Sequence, residues 1–110
     1  MTSPVSASDL RHRIAIEQEV RTPDGGGGAD VSWQLFAEVW AAIWPRTASE
    51  QLESDRVAGT ATHDIWIRYR PGVTPQMRIK FGNRTFDIRG VLDMDGKRRW
   101  LKCVSQERDL

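Results

Sequence analysis

Residues 33–44 (WQLFAEVWAAIW) form the most apolar stretch of this 110-residue chain, and they decide its fold class. As a strand, one face would carry Leu35, Ala37, Val39, Ala41 and Ile43. The opposite face, interrupted by a glutamate, would carry Phe36, Trp40, Ala42 and Trp44. A strand that is apolar on both faces is either central in a closed barrel or packed against another subunit.

A helix is the competing interpretation of this stretch, because Phe36, Val39 and Trp40 also fit a period of 3.6 residues. The aromatic and β-branched content, together with Pro45 as a terminator, favours the strand.

Five further segments have the alternating pattern of strands, at residues 11–20, 60–70, 77–81, 84–92 and 97–106. The inward-facing side chains of residues 84–92 are predicted to be Phe86, Ile88 and Leu92. Turn sequences separate the segments at residues 71–75 (PGVTP), 82–83 (GN) and 95–96 (DG). Six strands joined mostly by hairpins predict an all-β, mainly antiparallel fold, either a small six-stranded barrel or a compact sandwich.

A glycine run lies between the first two predicted strands and comprises Asp24, Gly25, Gly26, Gly27 and Gly28. Because neither a helix nor a strand interior accepts such a run, it predicts a flexible hairpin loop. The run lacks the Lys-Ser/Thr of a phosphate-binding loop and leads into a strand, so a phosphate site is the weaker interpretation.

One short helix is predicted between the second and third strands, at about residues 47–59. Thr47 and Glu50 have the spacing of a capping box, and Gly59 ends the segment. Few of its residues could face a core, so we expect a segment that is mobile or ordered only by a partner.

The composition is that of one soluble globular domain, with 39% hydrophobic and 28% charged residues. No stretch is long and apolar enough to span a bilayer, the N-terminus lacks the pattern of a secretory signal, and a single cysteine favours a reducing, cytoplasmic setting. Residues 1–63 carry 5 basic and 9 acidic side chains, whereas residues 64–110 carry 11 and 6. Such polarity suits head-to-tail stacking of copies or one charged partner, although arginine-rich solvated strands would also produce it.

No combination of residues indicates catalysis, a metal or a cofactor. His12 and His63 fit no zinc motif, and none of the serines stands in a nucleophile elbow. Cys103 alternates with Leu101 in a strand and is interpreted as a buried apolar residue. We therefore expect a protein that is not an enzyme and has no cofactor.

A nucleic-acid-binding barrel is the alternative function. Aromatic and basic side chains that could stack on bases and neutralise phosphates are Trp66, Arg68, Tyr69, Arg70, Arg78, Lys80 and Arg84. Strand alternation separates Tyr69 from Arg68 and Arg70, which weakens this interpretation.

Four segments in this order carry a family resemblance: LRHRI at 10–14, VWAAIWP at 39–45, IRYRPGVT at 67–74 and RTFDI at 84–88. Over roughly residues 10–107 the chain resembles the phage head-tail joining family, the head completion or stopper proteins of long-tailed phages and gene transfer agents. The glycine run is longer than is usual in that family, and Trp44 replaces a smaller residue. The implied organisation is a disordered segment at 1–9 and a single head-tail joining β-barrel domain at 10–110.

The resemblance implies a structural part of the virion neck, assembled in the cytoplasm of the host bacterium, with no membrane partner. Copies of the chain would form a ring, usually of twelve, below the portal and adaptor rings. The ring would close the exit channel over packaged double-stranded DNA and dock the tail terminator or tail-tube protein. A stopper fits better than an adaptor, because adaptors are mostly helical.

Two sets of residues acquire roles from this resemblance. The channel or plug segment would use Thr47, Glu50, Leu52, Glu53, Asp55 and Arg56. The ring or partner interface would use Trp33, Trp40, Trp44, Trp66, Arg68 and Arg70, since tryptophan and arginine are enriched at protein interfaces.

Overall fold

The computed structural model describes residues 5–47 and 61–108 of the chain. Its six strands are β1 (His12–Pro23), β2 (Ala29–Pro45), β3 (His63–Arg68), β4 (Arg78–Phe81), β5 (Arg84–Asp93) and β6 (Trp100–Glu107). Two 3-10 turns, Ala7–Asp9 and Met94–Gly96, accompany them. Of the helix predicted at residues 47–59, all but Thr47 lies outside the described residues. No helix in the described ranges has the length and apolar character of a membrane span.

The strands close into a barrel in the order β1-β2-β3-β6-β5-β4, and every neighbouring pair is antiparallel. The all-β prediction is confirmed, and of its two alternatives the barrel is correct. Residues 33–44 lie within β2, so the strand interpretation of this stretch is confirmed as well. Gly82 adopts a φ of 59° in the two-residue turn between β4 and β5, which a residue with a Cβ would adopt only under strain.

The barrel interior is filled by alternate side chains of all six strands, the pattern that a half-buried strand requires. Its fully buried members include Ile14, Ile16, Ile65, Ile67, Ile79, Phe86, Ile88 and Cys103. Branched aliphatic side chains dominate, and they are the residues that pack best on a pleated surface.

Two shifts of register move side chains away from their predicted faces. Ile16 pairs with Ala37 and Glu17 with Leu35, so Phe36 is an extra residue in β2. Phe36 packs against the core, and Leu35, predicted to share the face of Ala37, is 53% exposed. Such a bulge reverses the alternation on one side of it, which no single-strand pattern reveals.

The second shift lies in β5, where Ile88 pairs with Ser105 and Gly90 with Val104, leaving Arg89 as the extra residue. Beyond it, Val91 rather than Leu92 packs against the core. The prediction that Leu92 points inward is therefore wrong, and its side chain is 42% exposed.

The first hairpin extends beyond the barrel as a two-stranded projection. β1 pairs with β4 only at Ala15–Glu17, and β2 pairs with β3 only from Ala41 onward. Residues 18–34 therefore pair only with one another, and we call them the β-arm. At a strand rise of ~3.4 Å per residue, the β-arm projects about 20 Å.

The glycine run forms the tip of the β-arm. Asp24 Oδ1 accepts hydrogen bonds from the backbone N–H groups of Gly26 at 2.8 Å and Gly28 at 3.2 Å. Gly25 and Gly27 have φ values of 85° and 87°, a region that glycine occupies without steric cost. The hairpin loop predicted at these residues is present, with Asp24 as its organising side chain.

The chain before β1 packs onto the barrel from Val5, which is only 5% exposed. The Ser6 N–H donates to Asp9 Oδ2 at 2.8 Å around the first 3-10 turn. Val5 joins a cluster with Ala42 and Trp66, against which Leu10, Trp44, Met94 and Trp100 also pack. Of the segment predicted to be disordered at 1–9, residues 1–4 lie outside the described residues, and residues 5–9 are described as packed on the barrel through Val5.

Candidate assembly surfaces

The ends of the segment between β2 and β3 are held side by side at one end of the barrel. Pro45 pairs with His63, and the Arg46 N–H donates to the Thr62 carbonyl at 2.9 Å. The Thr62 N–H in turn donates to the Ser105 carbonyl at 2.9 Å. The segment thus starts and ends on a rigid base. Thr47 is exposed at this base, whereas Glu50, Leu52, Glu53, Asp55 and Arg56 lie outside the described residues.

A buried ion pair stabilises this base. Arg46 Nη1 donates to Asp64 Oδ1, and the two side chains are only 6% and 13% exposed. Lys102 Nζ lies 3.7 Å from the other carboxylate oxygen of Asp64. A buried carboxylate next to two cations links the end of β2 to β3 and β6.

His63 lies in a hydrogen-bonded network at the same end. Its Nδ1 is 2.8 Å from Thr62 Oγ1, and its ring meets Phe86 edge-on at 5.2 Å. Burial lowers the pKa of His63, and Arg84 acts in the same direction, whereas Glu107 and Asp64 oppose the shift. Arg84 donates to both carboxylate oxygens of Glu107, and these bonds lower the pKa of Glu107.

The side chains around His63 connect neighbouring strands rather than form a catalytic pair with it. Ser105 is the cross-strand partner of His63, but its buried Oγ donates to the Cys103 carbonyl at 3.0 Å. His12 packs edge-on against Phe81 at 4.9 Å. Within residues 5–47 and 61–108, no three His, Cys, Asp or Glu side chains are grouped as a metal site would require.

Cys103 is fully buried in the barrel core, and burial raises the pKa of its thiol to about 12. Because the thiolate is the reactive form, a thiol reagent is expected to modify native Cys103 at least about 1,000-fold more slowly than the unfolded chain. The measurement is the rate of reaction with a chromogenic disulfide at neutral pH, with and without urea. Stoichiometric labelling of the native protein would contradict this prediction.

A cleft of about 260 Å³ lies beside the middle of β2 and is lined by Leu10, Val39, Trp40, Arg68, Tyr69 and Arg70. It continues past Arg68 and Tyr69 to Arg98, Arg99 and Trp100. The Tyr69 N–H donates to the Arg99 carbonyl at 3.0 Å and joins the two parts. We call this continuous surface the arginine groove.

Within the described residues, Arg68 and Arg70 of the arginine groove contact aromatic rings rather than carboxylates. Arg68 lies 5.1 Å from the Trp100 ring centre and Arg70 lies 5.5 Å from that of Phe36. Arg70 Nε is buried without a hydrogen-bond partner in the described structure. Elsewhere, ion pairs to carboxylates hold Arg13, Arg21, Arg46, Arg78, Arg84 and Arg108.

The tryptophans and arginines predicted as an interface occupy three places. Trp40, Arg68 and Arg70 meet in the arginine groove, where Trp40 is 52% exposed. Trp33 lies on the β-arm beneath Arg78, at 4.2 Å. Trp44 and Trp66 pack together at 6.1 Å in the cluster beneath Val5.

Trp66 differs from the other members of this predicted set in its burial. It is only 3% exposed, because it packs in the cluster with Val5 and Ala42, and its contact with a partner stays a prediction. The structure adds Leu10, Arg98 and Trp100 to the lining of the arginine groove, and the sequence interpretation did not single out these residues. The run KRRW at 97–100 is the signal that could have indicated two of them.

The model of the phage head completion protein family matches residues 5–108. The chain belongs to this family. The family resemblance read from the sequence is thus confirmed, and with it a structural role in the head-tail region of a phage or phage-like particle. Phage head completion proteins are a family of structural proteins, not of enzymes.

Two solved structures are similar to this family member. The solution structure of protein SF1141 from Shigella flexneri 2a has 28% identity and a TM-score of 0.76, covering 94% of this chain and 96% of that one. A chain from the virion of a native gene transfer agent particle has 26% identity and a TM-score of 0.64, covering 90% and 96%. No curated protein has a significant sequence match to the chain.

Proposed function

We propose that this head completion protein is a stopper, a ring of copies in the neck of a tailed phage or gene transfer agent particle. The observation that carries the proposal is the family match over residues 5–108, supported by the similar chain in a gene transfer agent virion. The ring lies below the portal and adaptor, closes the DNA exit channel and docks the tail terminator or tail-tube protein. It contains twelve copies, as the resemblance implies, and assembles in the host cytoplasm.

The architecture suits a part that contacts several partners. The β-arm and the segment between β2 and β3 leave opposite ends of the 17-residue strand β2. At ~3.3 Å per residue these ends are about 50 Å apart. One chain can therefore present a projecting segment toward the channel while its other end contacts different proteins.

Deletion of the gene tests the role in joining. Particles produced without this protein are expected to be full-sized heads without tails, with packaged DNA that leaks or becomes sensitive to nuclease. The measurements are electron microscopy of purified particles and nuclease protection of their DNA. Tailless heads that retain protected DNA would support joining but contradict channel closure, and normal tailed particles would contradict both.

The plug is tested by substitution within the segment. We propose that Thr47, Glu50, Leu52, Glu53, Asp55 and Arg56 line the constriction, where carboxylates repel DNA phosphates and limit sticking. The triple variant E50A/E53A/D55A is expected to assemble and to release its DNA more slowly. The matched control S49A/Q51A/S54A changes three neighbours without changing charge. Equal DNA retention and ejection in the two variants would contradict the electrostatic role.

A further inference from the structure

We propose that the acidic tip of the β-arm of one copy docks in the arginine groove of the next copy around the ring. This inference rests on the proposed ring and adds to it a specific contact between subunits. Its occupant is a second copy of this chain, and the contact is an acidic hairpin tip held by arginines over an apolar floor.

The charge of the arginine groove suits an anionic partner. Arg68, Arg70 and Arg98 have no ion pair within the part of the chain that the structure describes, although most other arginines do. A buried donor such as Arg70 Nε costs free energy until an acceptor reaches it. Carboxylates are the acceptors that guanidinium groups bind most strongly in proteins.

The floor of the arginine groove favours a protein segment over a nucleic acid backbone. Leu10, Val39 and Trp40 line the cleft beside the arginines, and its volume of about 260 Å³ accommodates side chains rather than a duplex. Trp40 is 52% exposed, which is typical of a tryptophan that a partner covers. A surface for double-stranded DNA would instead present cations along the path of the phosphate backbone.

The tip of the β-arm has the complementary properties. Residues 22–34 contain Asp24 and Asp30 and neither lysine nor arginine. Val31 next to Asp30 is 49% exposed, so the tip offers apolar surface together with negative charge. Asp24 already organises the loop through Oδ1, which presents the turn in a defined shape. A pre-shaped turn loses little entropy on docking.

A chain cannot place its own tip in its own groove. Ala29 at the tip and Trp40 in the arginine groove belong to the same strand, β2, and are eleven residues apart. At ~3.3 Å per residue this separation is about 35 Å, and the β-arm points away from the barrel. The contact must therefore join two copies, and in the proposed ring it is head-to-tail, with each tip in the groove of the next copy.

Chemical cross-linking in assembled particles tests the contact. The double variant A29C/R98C places thiols at the tip and at the exposed rim of the arginine groove, while Asp24, Asp30, Arg68 and Arg70 remain. The native Cys103 is buried and is not expected to react with the cross-linker. A short bis-maleimide is expected to produce a ladder of covalent multimers beyond the dimer. Each single variant, A29C or R98C, serves as the control and should not produce a ladder.

The outcomes separate the contact from the ring itself. If the protein is in the neck and A29C/R98C produces no ladder, the proposed contact is contradicted, whereas the proposed ring is not. A ladder from E53C/R98C instead would assign the groove to the segment between β2 and β3 and would overturn the proposal. Dimers alone from A29C/R98C would indicate that two copies dock their tips in each other's grooves, which would also overturn it. Absence of the protein from the neck would refute the proposed function and this inference with it.

Charge reversal tests the chemistry of the contact. D30K and R68E/R98E are each expected to reduce tailed particles about tenfold or more, because like charges then face each other. Combining the three substitutions is expected to restore much of the yield. All three positions are exposed and Asp24, which holds the loop, is unchanged, so folding should persist, and thermal melting checks it. Failure of the combination to restore assembly, with DNA retention lost in R68E/R98E alone, would assign the groove to DNA and overturn the proposal.

Discussion

Replacement of Phe86 by alanine is expected to lower the free energy of unfolding by about 3–5 kcal/mol, the cost of a large cavity in a packed core. Phe86 has no exposed surface, and the His63 ring and the Arg84 guanidinium pack against it at 5.2 and 4.9 Å. Phe86 belongs to the main hydrophobic cluster of the barrel, and a packed core relaxes only partly around a truncated side chain. The measurement is urea unfolding of the isolated chain, followed by tryptophan fluorescence.

Leu92→Ala is the matched control in the same strand. Leu92 is 42% exposed because the extra residue Arg89 turns it outward, so its truncation should cost less than about 1 kcal/mol. If F86A leaves too little folded protein to measure, F86L keeps most of the volume and should cost about 1.5 kcal/mol or less. Equal losses in F86A and L92A would contradict the placement of the bulge.

Asp64→Ala is expected to destabilise the protein by about 3–5 kcal/mol, because it leaves Arg46 buried without its carboxylate. The Arg46 and Asp64 side chains are 6% and 13% exposed, and Lys102 Nζ lies 3.7 Å from Asp64. Loss of this ion pair should destabilise the end of the barrel at which the segment between β2 and β3 begins and ends. Urea unfolding measures the stability, and hydrogen exchange at Thr62 and His63 measures the local opening.

A surface ion pair in the same barrel provides the comparison. Arg13 and Glu38 are 3.7 Å apart with side chains 54% and 52% exposed, so E38A should cost at most about 1 kcal/mol. The double variant R46M/D64L replaces the buried pair by apolar side chains and should recover much of the loss of D64A. A D64A variant as stable as E38A would show that the buried pair contributes nothing.

The local sequence pattern was sufficient to predict the strands and most turns, because inward-facing and outward-facing side chains alternate along a strand. The alternation at Ile14 and Ile16, at Ile65 and Ile67, and the turn at Gly82 each depend on near neighbours in the chain. Bulges depend on the partner strand instead. The orientations of Leu35 and Leu92 could therefore not be read from β2 or β5 alone.

The residues that share the arginine groove were predictable by type but not by position. Trp66 belongs to the residue class enriched at interfaces, yet the chain's own Val5 covers it. Arg68 and Arg98 are thirty residues apart, and they come together because β3 pairs with β6 at Arg68 and Trp100. Proximity of this kind arises only from the order in which strands close the barrel.

The amino-acid sequence by itself determined the all-β class, the strand at residues 33–44, the glycine hairpin and membership of the head completion family, since each is written in local periodicity or in motif order. The tertiary structure decided the closure into a barrel, the two bulges, the burial of Trp66 and the projection of the β-arm. It also decided which arginines share one groove. Strand register and closure are properties of pairs of distant segments, and that is why no single segment of the chain reveals them.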